Sequence, residues 1–222
     1  MSPRINELLA YLPNSEYLEI TDPMRLVSLV KGQTLFEMGQ IPTEIYYPVG
    51  AVVSMMVDLN DGFSVETYMF GKSCMVGVGA IGVPSFYRAR VRSSGLAYAL
   101  PTERLTRARQ TCPNYVAGSH RAMQRLFKQL SQSLVCSKRH SVDQQLIKWI
   151  LITLDRTLSE TIPITHQELS ELLGFRREAV TLALGKLCDM KAILCCRGQL
   201  KVLDRSALER LTCDCYWVGL KG

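Results

Sequence analysis

From Arg25 to about Leu100, apolar and polar residues alternate in short runs: Leu26 to Val30, Thr34 to Glu37, Glu44 to Val49, Val52 to Val57 and Ser64 to Phe70. Turn residues such as Lys31-Gly32, Gly50 and Asn60-Asp61-Gly62 separate them. Runs of this length and spacing predict an antiparallel barrel or sandwich. Asn60-Asp61-Gly62 predicts a hairpin, because Asp and Gly tolerate the positive φ that tight turns need. Ahead of the strands, Ile5 to Leu12 predicts a short helix. The period changes at Pro113, which opens a proline-free run through Arg139. Here Met123, Leu126, Leu130 and Leu134 step by three or four and are joined by Phe127, the narrow seam of an amphipathic helix. A long helix with so narrow a seam is expected to bury it against a second copy, as a parallel homodimer, rather than within its own chain. Val142 to Leu154 predicts a further helix, with Leu146, Ile147, Trp149 and Ile150 spaced for the core.

The last third holds the most specific pattern. Thr165-His166-Gln167-Glu168 has the form of a capping box, so a helix is expected to start at His166. Leu169, Leu172 and Leu173 face inward, and Gly174 then permits a sharp turn. A second helix begins near Arg176 and continues through Val180, Ala183, Leu184 and Leu187. Helix, glycine turn and helix make a helix-turn-helix pattern. The outward set of the second helix is Arg176, Arg177, Glu178, Thr181, Leu182, Gly185 and Lys186. Arginine can hold guanine O6 and N7 with two bonds and a carboxylate can accept from cytosine N4, so Arg177 beside Glu178 suits a G·C-containing half-site. Two β-type runs follow, Ala192 to Cys196 and Gln199 to Leu203, joined at Arg197-Gly198 as in a wing. A helical hairpin serving only protein contacts is the bland alternative.

Charge sharpens this reading. Residues 1–112 hold ten Lys/Arg and ten Asp/Glu, whereas residues 113–222 hold sixteen and ten, so the second half carries the whole net charge of +6. Between Gly174 and Lys201 there are six basic and two acidic residues, a local excess that suits phosphate contacts. At 222 residues and 47% hydrophobic, the chain is long enough for two modest domains and is not of disordered type. It lacks a signal-peptide pattern at its start. Its one apolar-rich stretch, Tyr68 to Tyr87, is interrupted by Lys72, Pro84 and four glycines, so no membrane association and a cytoplasmic location are expected. Phe70-Gly71-Lys72-Ser73 is not a phosphate loop, because Glu66 stands where the first glycine is needed. The histidines His120, His140 and His166 are scattered, and no nucleophile elbow, dinucleotide loop or His-Glu-x-x-His stretch occurs, so no enzyme is expected.

On these residues the chain resembles transcription regulators of the cyclic-AMP receptor/fumarate-nitrate regulator (Crp/Fnr) family. The match is tightest from Ile164-Thr165-His166-Gln167-Glu168-Leu169 through Gly174 and Arg177-Glu178-Ala179-Val180 to Arg197-Gly198, and looser over the strands from Leu29 to Leu100. The stretches Cys136 to Trp149 and Asp204-Arg205 to Cys213-Asp214-Cys215-Tyr216 also resemble a branch of the family whose effectors are generally unassigned. The resemblance implies an α+β chain: a cyclic-nucleotide-binding-like antiparallel β-roll over residues 1–112, a dimerisation helix over 113–140 and a winged helix-turn-helix over 141–222. It implies double-stranded DNA and RNA polymerase as partners. DNA contacts would come from Thr165, His166, Arg176, Arg177, Glu178, Thr181, Leu182, Lys186 and Arg197.

Several positions depart from the family pattern. Leu182 stands where an arginine often follows the Arg-Glu pair, which exchanges a guanine contact for one suited to a thymine methyl. Arg176 replaces the usual serine cap. In members that bind cyclic nucleotides, a Gly-Glu pair takes the ribose hydroxyl and an Arg-Ser or Arg-Ala pair holds the phosphate. Here Gly71 is followed by Lys72, and Arg88-Ala89 and Arg92-Ser93 lie sixteen and twenty residues beyond it, too far for the family spacing. Cyclic AMP is therefore not expected, and no other cofactor is implied. Gly71, Lys72, Arg88, Arg90 and Arg92 remain a candidate pocket for another ligand, with the three arginines on one strand face, either solvated, anion-binding or a partner surface. Family members that sense oxygen through an iron–sulfur cluster use N-terminal cysteines, and none precedes Cys74 here.

The eight cysteines are expected to be free thiols. Cys213-Asp214-Cys215 and Cys195-Cys196 offer sulfur ligands, and Cys136 with His140 has a metal-competent i, i+4 spacing, but no Cys-x-x-Cys pair occurs. The expectation is no metal and inert buried thiols, with a redox switch among Cys136, Cys195, Cys196, Cys213 and Cys215 as the sharper alternative. Two further readings stay open: a thiol- or metal-responsive regulator, and a ligand-binding β-roll whose helix-turn-helix is only an interaction module.

Overall fold

Alternation along the first half is realised as two antiparallel sheets. In chain order the strands are β1 (Arg25–Leu29), β2 (Thr34–Phe36), β3 (Glu44–Pro48), β4 (Val52–Asp58), β5 (Ser64–Phe70), β6 (Arg88–Ser93) and β7 (Gly95–Pro101). One sheet has the order β1-β7-β3 and the other β2-β6-β4-β5. The hairpin between β4 and β5 turns at the predicted place, with Leu59 N–H donating to Phe63 O at 2.8 Å and Gly62 at φ +86°. This computed structural model describes residues 1–77, 79, 82–157 and 159–220. It forms two units, one of Met1–Asp58 with Thr67–Phe127 and the other of Leu59–Glu66 with Lys128–Gly222.

In the first unit the core gathers Leu9, Ile45, Tyr47, Leu100, Leu105 and Tyr115, with the Tyr47 and Tyr115 hydroxyls 2.5 Å apart. The helix expected over Ile5 to Leu12 is split. Asn6, fully buried, uses its side chain as an N-cap for α1 (Glu7–Ala10), accepting from Leu8 N–H, while its Nδ2 donates to the carbonyls of Pro48 and Cys74. That competition with helical backbone bonding leaves only a 3-10 turn, Pro3–Ile5, before it. Next come α2 (Asn14–Thr21) and, after β7, α3 (Thr102–Thr111).

Helix α4 runs Pro113–Arg139, the span the sequence pattern predicts. Its first turn has no acidic residue of its own. Glu16, buried on α2, supplies the missing anion, accepting from Asn114 N–H at 3.2 Å, Asn114 Nδ2 at 2.7 Å and Tyr115 N–H at 2.9 Å. Burial works against its charge, yet these bonds hold its pKa below the ordinary 4.5. The boundary between the units falls within α4, between Phe127 and Lys128.

The second unit continues with α5 (Val142–Arg156), β8 (Thr161–Ile162), α6 (His166–Leu173), α7 (Arg177–Asp189), β9 (Ile193–Cys196), β10 (Gln199–Val202), α8 (Arg205–Leu211) and α9 (Asp214–Leu220). A capping box of Ser141 with Gln144 starts α5, whose Leu146, Ile147, Trp149 and Ile150 are buried as expected. Helix α5 packs on α7, α8 and α9, and α6 packs on α7. Among the described residues no helix is long and apolar enough to cross a membrane.

Candidate nucleic-acid interface

Local chemistry builds this surface in three steps. Thr165 Oγ1 accepts from Glu168 N–H at 3.1 Å while Glu168 Oε2 accepts from Thr165 N–H at 2.8 Å, so the capping box forms and α6 begins at His166. Gly174 then ends the helix in the left-handed region, φ +70°, where a glycine avoids the Cβ clash. Helix α7 starts at once. Val180, Ala183, Leu184 and Leu187 are buried beneath it, and Arg176, Arg177, Glu178, Thr181, Leu182, Gly185 and Lys186 are all exposed. The buried face pins the helix and the other face is open to solvent. Leu182 is 70% exposed.

The start of α7 differs from that of α6. Arg176 occupies the cap position with extended backbone, and no side chain caps the first turn. The first turn of α7 thus carries two exposed guanidinium groups beside the Glu178 carboxylate, with no side chain capping its backbone N–H groups. Neither Arg176 nor Arg177 has a salt-bridge partner among the described residues. His166, half-buried, sets its Nδ1 3.1 Å from Thr181 Oγ1, joining the first helix to the second. Lys186 is already engaged: its Nζ lies 2.6 Å from Asp143 Oδ2. Behind α7, β9 and β10 pair antiparallel, Gly198 turns between them at φ +71°, and β8 adds a third strand on the far side of β10. Arg197 is exposed at the turn.

A capped helix, a glycine turn, a second helix with one open polar face and a three-stranded wing define a winged helix-turn-helix domain. Residues 144–211 match the family of Crp-like helix-turn-helix domains. Solved structures extend the likeness to the whole fold. A transcriptional regulator of the crp/fnr family from Eubacterium rectale is 16% identical with a TM-score of 0.73, covering 93% of this chain and 98% of its own. A CRP-family transcriptional regulator from Thermus thermophilus is 17% identical with a TM-score of 0.70, covering 83% and 95%. The c-di-GMP responsive global regulator of Xanthomonas campestris is 16% identical with a TM-score of 0.69, covering 86% and 99%. No curated protein matches in sequence. The chain shares the fold of these structures, and its residues 144–211 match the Crp-like helix-turn-helix domain family.

Elsewhere the structure redraws two predicted groups. Arg88, Arg90 and Arg92 do not share one face. Arg88 makes a two-pronged ion pair with Asp58, at 2.7 and 2.9 Å, and Arg90 is exposed. Arg92 is only 8% exposed. The register of β4 against β6 explains it: Val52 pairs Ser93 and Val53 pairs Val91, so a bulge falls at Arg92 and breaks the alternation. Gly71 is buried and the Lys72 side chain exposed, and neither of two surface clefts, of about 330 and 370 Å³, is lined by any of the five residues of the expected pocket.

The cysteines also regroup. Cys195 and Cys196 lie on the wing strand β9, where Cys195 neighbours Cys188, and they do not join the C-terminal pair. Cys136 and His140 instead meet Cys213 and Cys215, with the four ligand-type atoms all within 4.8 Å of one another. Burial pushes the thiols of Cys136 and Cys195 up to about 12, the opposite of the lowered pKa of a reactive thiolate.

Proposed function

We propose that the chain is a sequence-specific, DNA-binding transcription regulator that acts as a homodimer on a dyad-symmetric site. One observation carries this reading: α7 buries every apolar position expected to face inward and exposes every polar one expected to face DNA. Arg177 and Glu178 read base edges from the first turn of α7, Leu182 meets an apolar edge such as a thymine methyl, and Arg176, Lys186 and Arg197 take phosphates. Thr165 and His166 approach the backbone from the start of α6, with His166 also holding Thr181 in place.

Dimerisation uses the seam of α4. Leu134 is 63% exposed and Phe127 70%, while Met123, Leu126 and Leu130 are half-buried, so the stripe is open in the single chain. Pairing two copies along it would set the recognition helices for successive major grooves, ~34 Å apart. The reading includes no cyclic AMP, because Arg88 is committed to Asp58 and Arg92 is turned into the interior.

Replacing Arg177 by alanine tests the base-reading role. Arg177→Ala should cost roughly 1–3 kcal/mol on the preferred site and flatten the ratio between preferred and random duplexes. An unchanged ratio in competition binding at fixed salt would reject the assignment.

A further inference from the structure

We propose that Cys136, His140, Cys213 and Cys215 form a closed tetrahedral site for one zinc ion, which clamps the C-terminal helix α9 to the end of the long helix α4. Cys136 lies in the last turn of α4 and His140 just beyond it, while Cys213 and Cys215 bracket the start of α9. All four belong to the same unit.

Distances carry the argument. A tetrahedral zinc with metal–sulfur bonds of about 2.3 Å holds its sulfurs about 3.8 Å apart, and a sulfur and an imidazole nitrogen about 3.6 Å apart. The Cys136 and Cys213 sulfurs are 3.8 Å apart. Cys215 Sγ is 3.4 Å from His140 Nδ1. Two edges of the tetrahedron are therefore in place, and the remaining pairs fall within 4.8 Å. Disulfide chemistry does not account for the separation, since a bonded pair would need its sulfurs at about 2.05 Å.

Burial and the surroundings point the same way. The three cysteines are between 0 and 4% exposed and form a core cluster of their own, with no aliphatic member among the described residues. A site shaped for packing alone would be filled better by Val or Leu, which bring more apolar surface. Three thiolates around a dication leave one net negative charge, and the Lys148 ammonium stands beside the Cys136 sulfur to offset it. Gln132 Nε2 donates to Cys215 Sγ at 3.0 Å, the kind of outer bond that orients a metal-bound sulfur. Soft sulfur ligands with one imidazole select zinc among the common divalent ions. As each metal–sulfur bond forms, the cysteine releases its proton to bulk water. Four protein ligands leave no open position, so the ion would be structural and not catalytic.

The test uses the full chain, expressed with zinc in the medium and purified untagged under reductant. Elemental analysis should find one zinc per chain. Apo protein titrated with cobalt(II) should develop thiolate-to-metal charge transfer and the visible bands of a tetrahedral centre. Cys213→Ser and Cys215→Ser should lose the ion, whereas Cys188→Ser and Cys196→Ser should keep it. Because a ligand variant can also fail to fold, Gln132→Ala serves as the second variant: it leaves all four ligands in place and should weaken zinc binding by roughly 10-fold or more. Protein that holds no metal and gives no cobalt bands would overturn the proposal. So would a Cys136–Cys213 disulfide found by mass spectrometry under the same reductant, or zinc retained at full stoichiometry by folded Cys213→Ser and Cys215→Ser chains.

Discussion

On the proposed function Lys186 serves two states. In the free chain it pairs with Asp143 at 2.6 Å, while the same ammonium is exposed on the face of α7 assigned to phosphates. On the proposed function DNA would compete for it, and an exposed ion pair of this kind is worth about 0–1 kcal/mol. Asp143→Asn removes the competitor, so affinity for all duplexes should rise by roughly two- to fivefold with the sequence preference unchanged. Binding isotherms on matched and random duplexes check both halves of that statement. Glu16 makes a second residue-scale case. Its folded pKa lies below 4.5, so the stabilisation it provides is complete above that value and is lost as pH falls through the lower, folded one. Glu16→Gln should therefore unfold more easily by about 1 kcal/mol at neutral pH, in line with the loss of a helix cap. Urea midpoints for the two proteins should converge as the pH drops below 4.5, and a gap that persists in acid would show that the effect is packing and not charge.

Among the elements, α4 is the one to which the proposed function gives a role beyond the single chain. Phe127 and Leu134 lie on the predicted stripe and are mostly exposed. Burying such a side chain contributes roughly 1.5–3 kcal/mol, so Phe127→Glu or Leu134→Glu should weaken self-association by at least about tenfold. Light scattering should report twice 24.9 kDa for the unaltered chain and a shift toward the single mass for either variant at low concentration. The elements most legible in the sequence were those governed by local rules. The full span of α4, the hairpin at Asn60-Asp61-Gly62, the Thr165–Glu168 capping box and the Gly174 turn each depend on residues a few positions apart. Helix α3 was illegible because its sequence is mostly polar and only Leu105 and Ala108 are buried, too few to show a period. Helix α2 begins without a side-chain cap after Pro13, which hides its start. The site was divided in the same way. The exposed face of α7 follows from helical spacing, whereas the Lys186–Asp143 pair joins positions 43 apart and the Cys136–Cys213 pair positions 77 apart. The Arg92 bulge depends on pairing with β4, which no reading of β6 alone contains.

At the scale of the molecule, residues 1–112 are neutral, and residues 113–222, which contain α4 and the winged domain, carry the positive excess. The excess of +6 resides wholly in residues 113–222, with the winged domain and its open recognition face. The central claim is that this face, doubled by the α4 seam, reads a repeated sequence. Selection of bound duplexes from a random library tests it most directly, using purified chain with reductant, moderate salt and no added small ligand. The account predicts enrichment of an inverted repeat with half-site centres about one helical turn apart and a G·C pair in each half-site. Recovery of sequences no different from the starting library, or of a single unrepeated site, would contradict it.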